Sequence, residues 1–152
     1  MYSGTVTAEQ YQKQANAIDQ MNGRDLDRLV YSEVEGRQVL TEQELLDGAR
    51  AVWRSQPSCI YLRIDGLPCA GDSRTEEVVQ DFGHSSSDCR VAMTLLSRHC
   101  KDARIGFARH PGELRVWVSV DSIVGWADGD AIEQALPLAI CRALVKWKRS
   151  KQ

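Results

Sequence analysis

Apolar and polar positions alternate along the chain with periods that separate helical from extended segments. Thr7-Ala8-Glu9-Gln10 places a Gln three residues after a Thr, a capping box that starts a helix to about Gln20. Its apolar stripe is thin (Tyr11, Ala15, Ile18), which predicts a peripheral arm or part of an oligomer contact. Asn22-Gly23 opens a second helix with Leu26, Leu29, Val30 and Val34 on one face, and Gly36 is placed to stop it. Thr41 to Glu44 is another capping box, and the helix behind it sets Leu45, Leu46, Ala49, Val52 and Trp53 on one side, with Pro57 beyond its end.

The pattern then changes to period two. Cys59 to Ile64 reads as a strand with Ile60, Leu62 and Ile64 on one face and Tyr61 and Arg63 on the other. Gly66 to Gly83, with its glycines, proline and charges, reads as the longest loop, with 75–82 a short strand or a helical turn. Ser85 to Asp88 offers consecutive N-caps for a helix to about Lys101, whose expected buried stripe is Cys89, Ala92, Met93, Leu96 and Cys100. Strands follow at 104–109 and 114–121, joined by the turn His110-Pro111-Gly112-Glu113. In the second, Leu114, Val116, Val118 and Val120 face the core while Arg115, Trp117 and Ser119 face away. Residues 123–131 read as a connection carrying an exposed Trp126, and 136–149 as a helix apolar almost all round, hence central. The expected class is α+β: a small, mainly antiparallel sheet with helices packed in layers, like an α/β/α sandwich. The expected organisation is a helical arm at 1–20 and one domain at 21–152.

Composition narrows this little. The chain has 152 residues and a formal net charge of -2, which disfavours a protein whose main work is gripping nucleic-acid backbone. No apolar run approaches the length of a membrane span, and the first twenty residues carry no apolar signal-peptide core, so a cytosolic location is expected. Five cysteines, an odd number with no C-x-x-C pair, argue against a disulfide framework or a structural zinc site.

Candidate chemistry is sparse. His84, His99 and His110 stand apart, and no G-x-S-x-G, H-E-x-x-H or P-loop pattern is present. No catalytic residue, metal ligand or cofactor is expected. Asp128-Gly129-Asp130 resembles the start of a calcium loop but lacks the later ligands. Two places could bind a partner. The helix start at Gly83-His84-Ser85-Ser86-Ser87, with Arg90 in the first turn, offers N–H groups and hydroxyls to an anion; ordinary capping is the competing reading. The outward strand positions Tyr61, Arg63, Arg115 and Trp117 join aromatic rings to guanidinium groups, which suits protein anchors or nucleotide stacking unless a second helical layer covers them. Trp126 adds an aromatic to this set.

Two stretches resemble a known family. Met21-Asn22-Gly23-Arg24-Asp25-Leu26-Asp27-Arg28-Leu29-Val30 is similar to the opening M-T-G-R-E-L-D-x-L-V of small phage and prophage proteins. Leu136 to Leu144 is similar to their closing A-P-L-A-I-C-R-A-L, and Ser85-Ser86-Ser87-Asp88 loosely resembles the Y-S-T-D helix start between them. These proteins form the phage ABA sandwich domain family, near the NinX-like phage proteins. The helix at 41–55 and residues 1–20 depart from its pattern. The resemblance implies a layered fold and a non-enzymatic phage accessory protein in the host cytoplasm. Such a protein would counter an antiviral defence by binding. It would inhibit a host defence protein or, as a homo-oligomer, sequester a nucleotide signal. The alternatives are a small nucleotide-acting enzyme and a nucleic-acid-binding phage regulator.

Overall fold

The computed structural model describes residues 7–152. Residues 1–6 of the expected arm, and the Tyr11 side chain of its stripe, lie outside the described residues. The class is α+β, with two three-stranded antiparallel sheets where one was expected. The chain divides into two compact units. One comprises the residues up to Gly36 together with His84–Gln152; the other, Arg37–Gly83, is inserted between them. The single domain expected at 21–152 is thus replaced by a host unit and an insert, each with its own core.

The host unit holds α1 (Ala8–Gln20), α2 (Gly23–Leu29), a π-helical turn at Val30–Val34, α4 (Cys89–His99) and α5 (Ile132–Ser150). Its sheet is β4 (Ala103–His110), β5 (Glu113–Val120) and β6 (Ile123–Gly129), in that spatial order. The β4–β5 turn uses Pro111 and Gly112, with Gly112 at φ 83°, a conformation open to glycine without strain. Leu114, Val116, Val118 and Val120 are buried beneath α5, as the alternation predicts. The expected connection at 123–131 is strand β6 instead. Its inward positions after Ile123 are small because α5 lies almost in contact with its backbone: a Cβ on Gly125 would collide with the Ala143 nitrogen and the Ala139 carbonyl. Small residues at a helix–sheet contact erase the hydrophobic signal that marks a strand.

Helix α5 begins four residues before the expected position 136, which puts Pro137 in its second turn. In α4 the buried stripe is Ala92, Leu95 and Leu96, whereas Met93, expected inside, is 40% exposed. Helix α1 is exposed along most of its described length and is anchored at its C-terminal end. The Thr7–Gln10 capping box forms, but Ile18 at the other end is fully packed into the core.

The insert holds α3 (Glu42–Ser55) and the sheet β1 (Tyr61–Ile64), β2 (Leu67–Asp72) and β3 (Glu77–Gln80). The expected loop at 66–83 is mostly this β2–β3 hairpin. Asp65 and Gly66, at φ 52° and 78°, make the two-residue turn between β1 and β2; Asp-Gly is a hairpin signal. Strand β2 is hard to read because Pro68, Gly71 and Asp72 interrupt it and only Cys69 is buried along it. Leu45, Ala49 and Trp53 of α3 pack with Leu62, Ile64 and Cys69 on one face of this sheet. In neither unit do that unit's own helices sandwich its sheet; they lie on one face.

Candidate functional site

The outer face of the host sheet gathers the sequence-predicted residues that meet. Register places Gly106, Trp117 and Trp126 side by side across the three strands, away from the helices. The Trp117 indole lies flat over Gly106, since a Cβ there would fall 2.5 Å from the ring; glycine makes room for the aromatic. The next row is Ala108, Arg115 and Asp128. Arg115 Nε and Nη2 donate to the two Asp128 carboxylate oxygens at 2.8 and 3.0 Å. The same guanidinium stacks 4.2 Å above the Trp126 ring. The hydrogen bond from Arg115 holds the Asp128 carboxyl below the usual aspartate range, and the bond to Asp128 raises the guanidinium in turn. On the other side lie Arg104, Ser119 and Val124.

Trp117 and Val124 remain 37% and 43% exposed. Trp126, read from sequence as a loop aromatic, is a strand residue half-buried under Arg115. The face therefore has an aromatic centre with charged and hydroxyl groups around it. Beside it, Asp102, Arg104, Ser119, Asp121 and Ser122 line a polar cavity of about 290 Å³.

Tyr61 and Arg63 are not part of this face. They belong to β1 of the insert, in a different sheet. Tyr61 is 84% exposed, and Arg63 donates to the Gly66 carbonyl of its own turn. Strand alternation in the sequence sorts inward from outward residues but carries no information on which strands share a sheet.

The expected anion site at the start of α4 is filled by the chain's own carboxylates. Asp88 accepts from the Arg90 and Val91 amides at 3.0 and 3.2 Å. Ser85 and Ser86 are buried, and the Ser86 amide donates to Asp27 Oδ1 at 2.8 Å while the Ser85 hydroxyl donates to the same oxygen at 3.4 Å. Of the residues expected there, Gly83, His84, Ser87 and Arg90 face solvent, while Ser85 and Ser86 do not.

This buried cluster joins residues 21–30 to residues 136–144: Asp27 lies in the first, and Cys141, hydrogen-bonded to Ser85, in the second. Burial pushes the Cys141 thiol up to about 12, so it is no nucleophile near neutral pH. Burial also lowers His99 from the ordinary histidine range, with Lys148 and Arg98 adding to the effect.

Sequence reasoning missed two buried cations of α5. Arg142 donates to the Met21 and Trp126 carbonyls at 3.0 and 2.8 Å. Lys146 donates to the Val124 carbonyl at 2.7 Å and pairs with Asp19 at 2.5 Å. Their signal was a cation at 142 and 146, four residues apart, inside an otherwise apolar helix.

In the insert, Pro57, Cys59, Ile60, Asp72, Ser73 and Arg74 are among the residues lining a cavity of about 480 Å³. Comparison of the chain with protein-family models, curated proteins and solved structures gave no match.

Proposed function

We propose that this chain is a non-enzymatic phage or prophage accessory protein that acts in the host cytoplasm by binding and inhibiting a protein of the host's antiviral defence. The phage assignment rests on the resemblance of residues 21–30 and 136–144 to the phage ABA sandwich domain family. The binding mode rests on the outer face of the host sheet. Exposed aromatic centres ringed by polar groups suit protein interfaces, where Trp and Arg are the commonest anchors.

One observation favours a protein over a nucleotide signal as the target. Arg115, the cation nearest the tryptophans, is already neutralised by the bidentate bond to Asp128. A phosphate approaching it would meet that carboxylate. The two cavities described above each hold an arginine and no aromatic ring, whereas a nucleotide pocket needs both to converge.

The test is phage plating on bacterial strains that each carry one defence system, with and without the chain expressed. Protection should fail on one strain when the chain is present and return with Trp117→Ala/Arg115→Ala. The targeted defence protein should co-purify with the wild-type chain and not with the variant, whose circular dichroism stays unchanged. Release of a nucleotide from heat-denatured wild-type protein, with no host protein bound, would replace inhibition by sequestration. Unchanged activity of the double variant would remove this face from the function.

A further inference from the structure

The two edges of the host sheet are treated in opposite ways. The free edge of β6 is closed: its Val124 and Trp126 carbonyls accept from Lys146 and Arg142. The free edge of β4 is bare among the described residues, with eight residues in strand conformation. Residues opposite one another in an antiparallel pair alternate between bonding across the ladder and pointing away from it. Because Val124 and Trp126 point away from β5, the alternation carries through the sheet. It directs the N–H and C=O groups of Ala103, Ile105, Phe107 and Arg109 to the open edge.

That edge is apolar on one face. Ile105 and Phe107 stand opposite Val118 and Val116, on the helix-bearing side, yet are 45% and 61% exposed. An exposed strand edge with apolar side chains pairs readily unless charge or shape forbids it. Here the charges are Arg104 and Arg109, and they select the partner.

We propose that β4 is the interface of a homodimer, pairing antiparallel with β4 of a second copy about a two-fold axis through Gly106, to give a continuous six-stranded sheet. Paired residues must share a face, so such an axis passes through a residue that meets its own copy. Centring on Gly106 sets Ile105 against the second copy's Phe107, Arg104 against its Ala108, and Arg109 against its Ala103. Apolar meets apolar and no cation meets another. Centring on Phe107 sets Ile105 against an arginine and Arg104 against a histidine. Centring on Ile105 leaves Phe107 facing only alanine. The sequence is self-complementary in one register. This inference does not rest on the proposed function: it is argued from the β4 edge, whereas that reading rests on Arg115, Trp117 and Trp126.

The experiment is sedimentation of the whole chain with hydrogen exchange of β4 amides at two concentrations. At about 100 μM the wild type should sediment as a dimer, and β4 amides should exchange roughly tenfold more slowly than at about 1 μM. Ile105→Lys/Phe107→Lys should be monomeric with unchanged circular dichroism, and Phe107→Leu should remain dimeric. Mixing Ile105→Cys with Phe107→Cys chains should give the 105–107 disulfide faster than either homotypic bond. A wild type that is monomeric at the higher concentration, with β4 exchange independent of concentration, overturns the proposal. So does a lysine variant that stays dimeric, or homotypic cross-links that form first. Should the lysine variant unfold, the wild-type exchange and cross-linking decide alone.

Discussion

Both units are built on the same plan, a three-stranded antiparallel sheet with helices on one face, but they fill it differently. The host unit packs the alternating stripe of β5, with Leu114, Val116, Val118 and Val120 all buried, against a helix buried on nearly every side from Ala135 to Trp147. The insert has one amphipathic helix, and its core cluster is Leu40, Leu45, Ala49, Trp53, Leu62, Ile64 and Cys69. It compensates with local polar ties. Gln80 accepts from the Leu40 amide and donates to the Gln38 carbonyl, both at 2.9 Å, and the Trp53 indole donates to the Cys59 carbonyl at 2.9 Å. A large core tolerates cations such as Arg142 and Lys146 because carbonyls and Asp19 meet them; a small one depends on a few hydrogen bonds of side chain to backbone.

Glycine substitutions should separate the two most sharply. Gly125→Ala drives a Cβ into the backbone of α5, which cannot move without shifting the helix, and should cost about 3 kcal/mol. Gly48→Ala runs into the Ile64 side chain, which can change rotamer, and gains helix propensity, so its cost should be about 1 kcal/mol or less. Hydrogen exchange of β6 and β1 amides would read each loss in its own unit. Equal losses would show that the insert's packing is as unforgiving as the host's.

Removing the polar ties comes next in size. Gln80→Ala strands a buried amide and a carbonyl and should destabilise the insert by about 2 kcal/mol. Asp27→Ala, which leaves the Ser86 amide without its acceptor, should cost the host unit about 2 kcal/mol as well. Amide exchange in β3 and at the start of α4 would locate the two effects. An Asp27→Ala loss spread into the insert would mean that the units unfold together.

The smallest effect belongs to the outer face. The folded-state carboxyl of Asp128 is depressed, mainly by its hydrogen bond from Arg115, so the pair contributes above the unfolded aspartate range and is lost as pH falls through the lower folded value. Acidification through that lowered folded value, below the usual aspartate range, should free the guanidinium from Asp128 and alter Trp126 emission with little change in circular dichroism. Asp128→Asn should abolish that pH response. A response that survives the substitution would assign it to another carboxylate.

Helix positions were legible to the extent that they rest on local rules. Both capping boxes form as the spacing predicts, Thr7 with Gln10 and Thr41 with Glu44, and the Pro111-Gly112 turn falls between β4 and β5. The inward and outward faces of β5 also follow from alternation alone. Strand β2 was illegible because Pro68, Gly71 and Asp72 break its pattern, and β6 because its inward positions after Ile123 are Gly125, Ala127 and Gly129, a choice imposed by the helix that packs on them. Of the site, Arg115 and Trp117 were readable as outward residues; their tie to Trp126 and Asp128 was not, since it depends on the register of β6.

The sequence by itself determined the local events: where helices start, which side of each periodic segment is apolar, and that residues 136–149 are central. Those depend on contacts within a few residues, which spacing encodes. Only the tertiary structure decided that the strands form two sheets in two units. It alone placed Asp27 as the acceptor at the α4 start and closed one sheet edge with buried cations while leaving the other bare. Each of these is a pairing between residues far apart in the chain, and a periodicity specifies a face without naming what will lie against it.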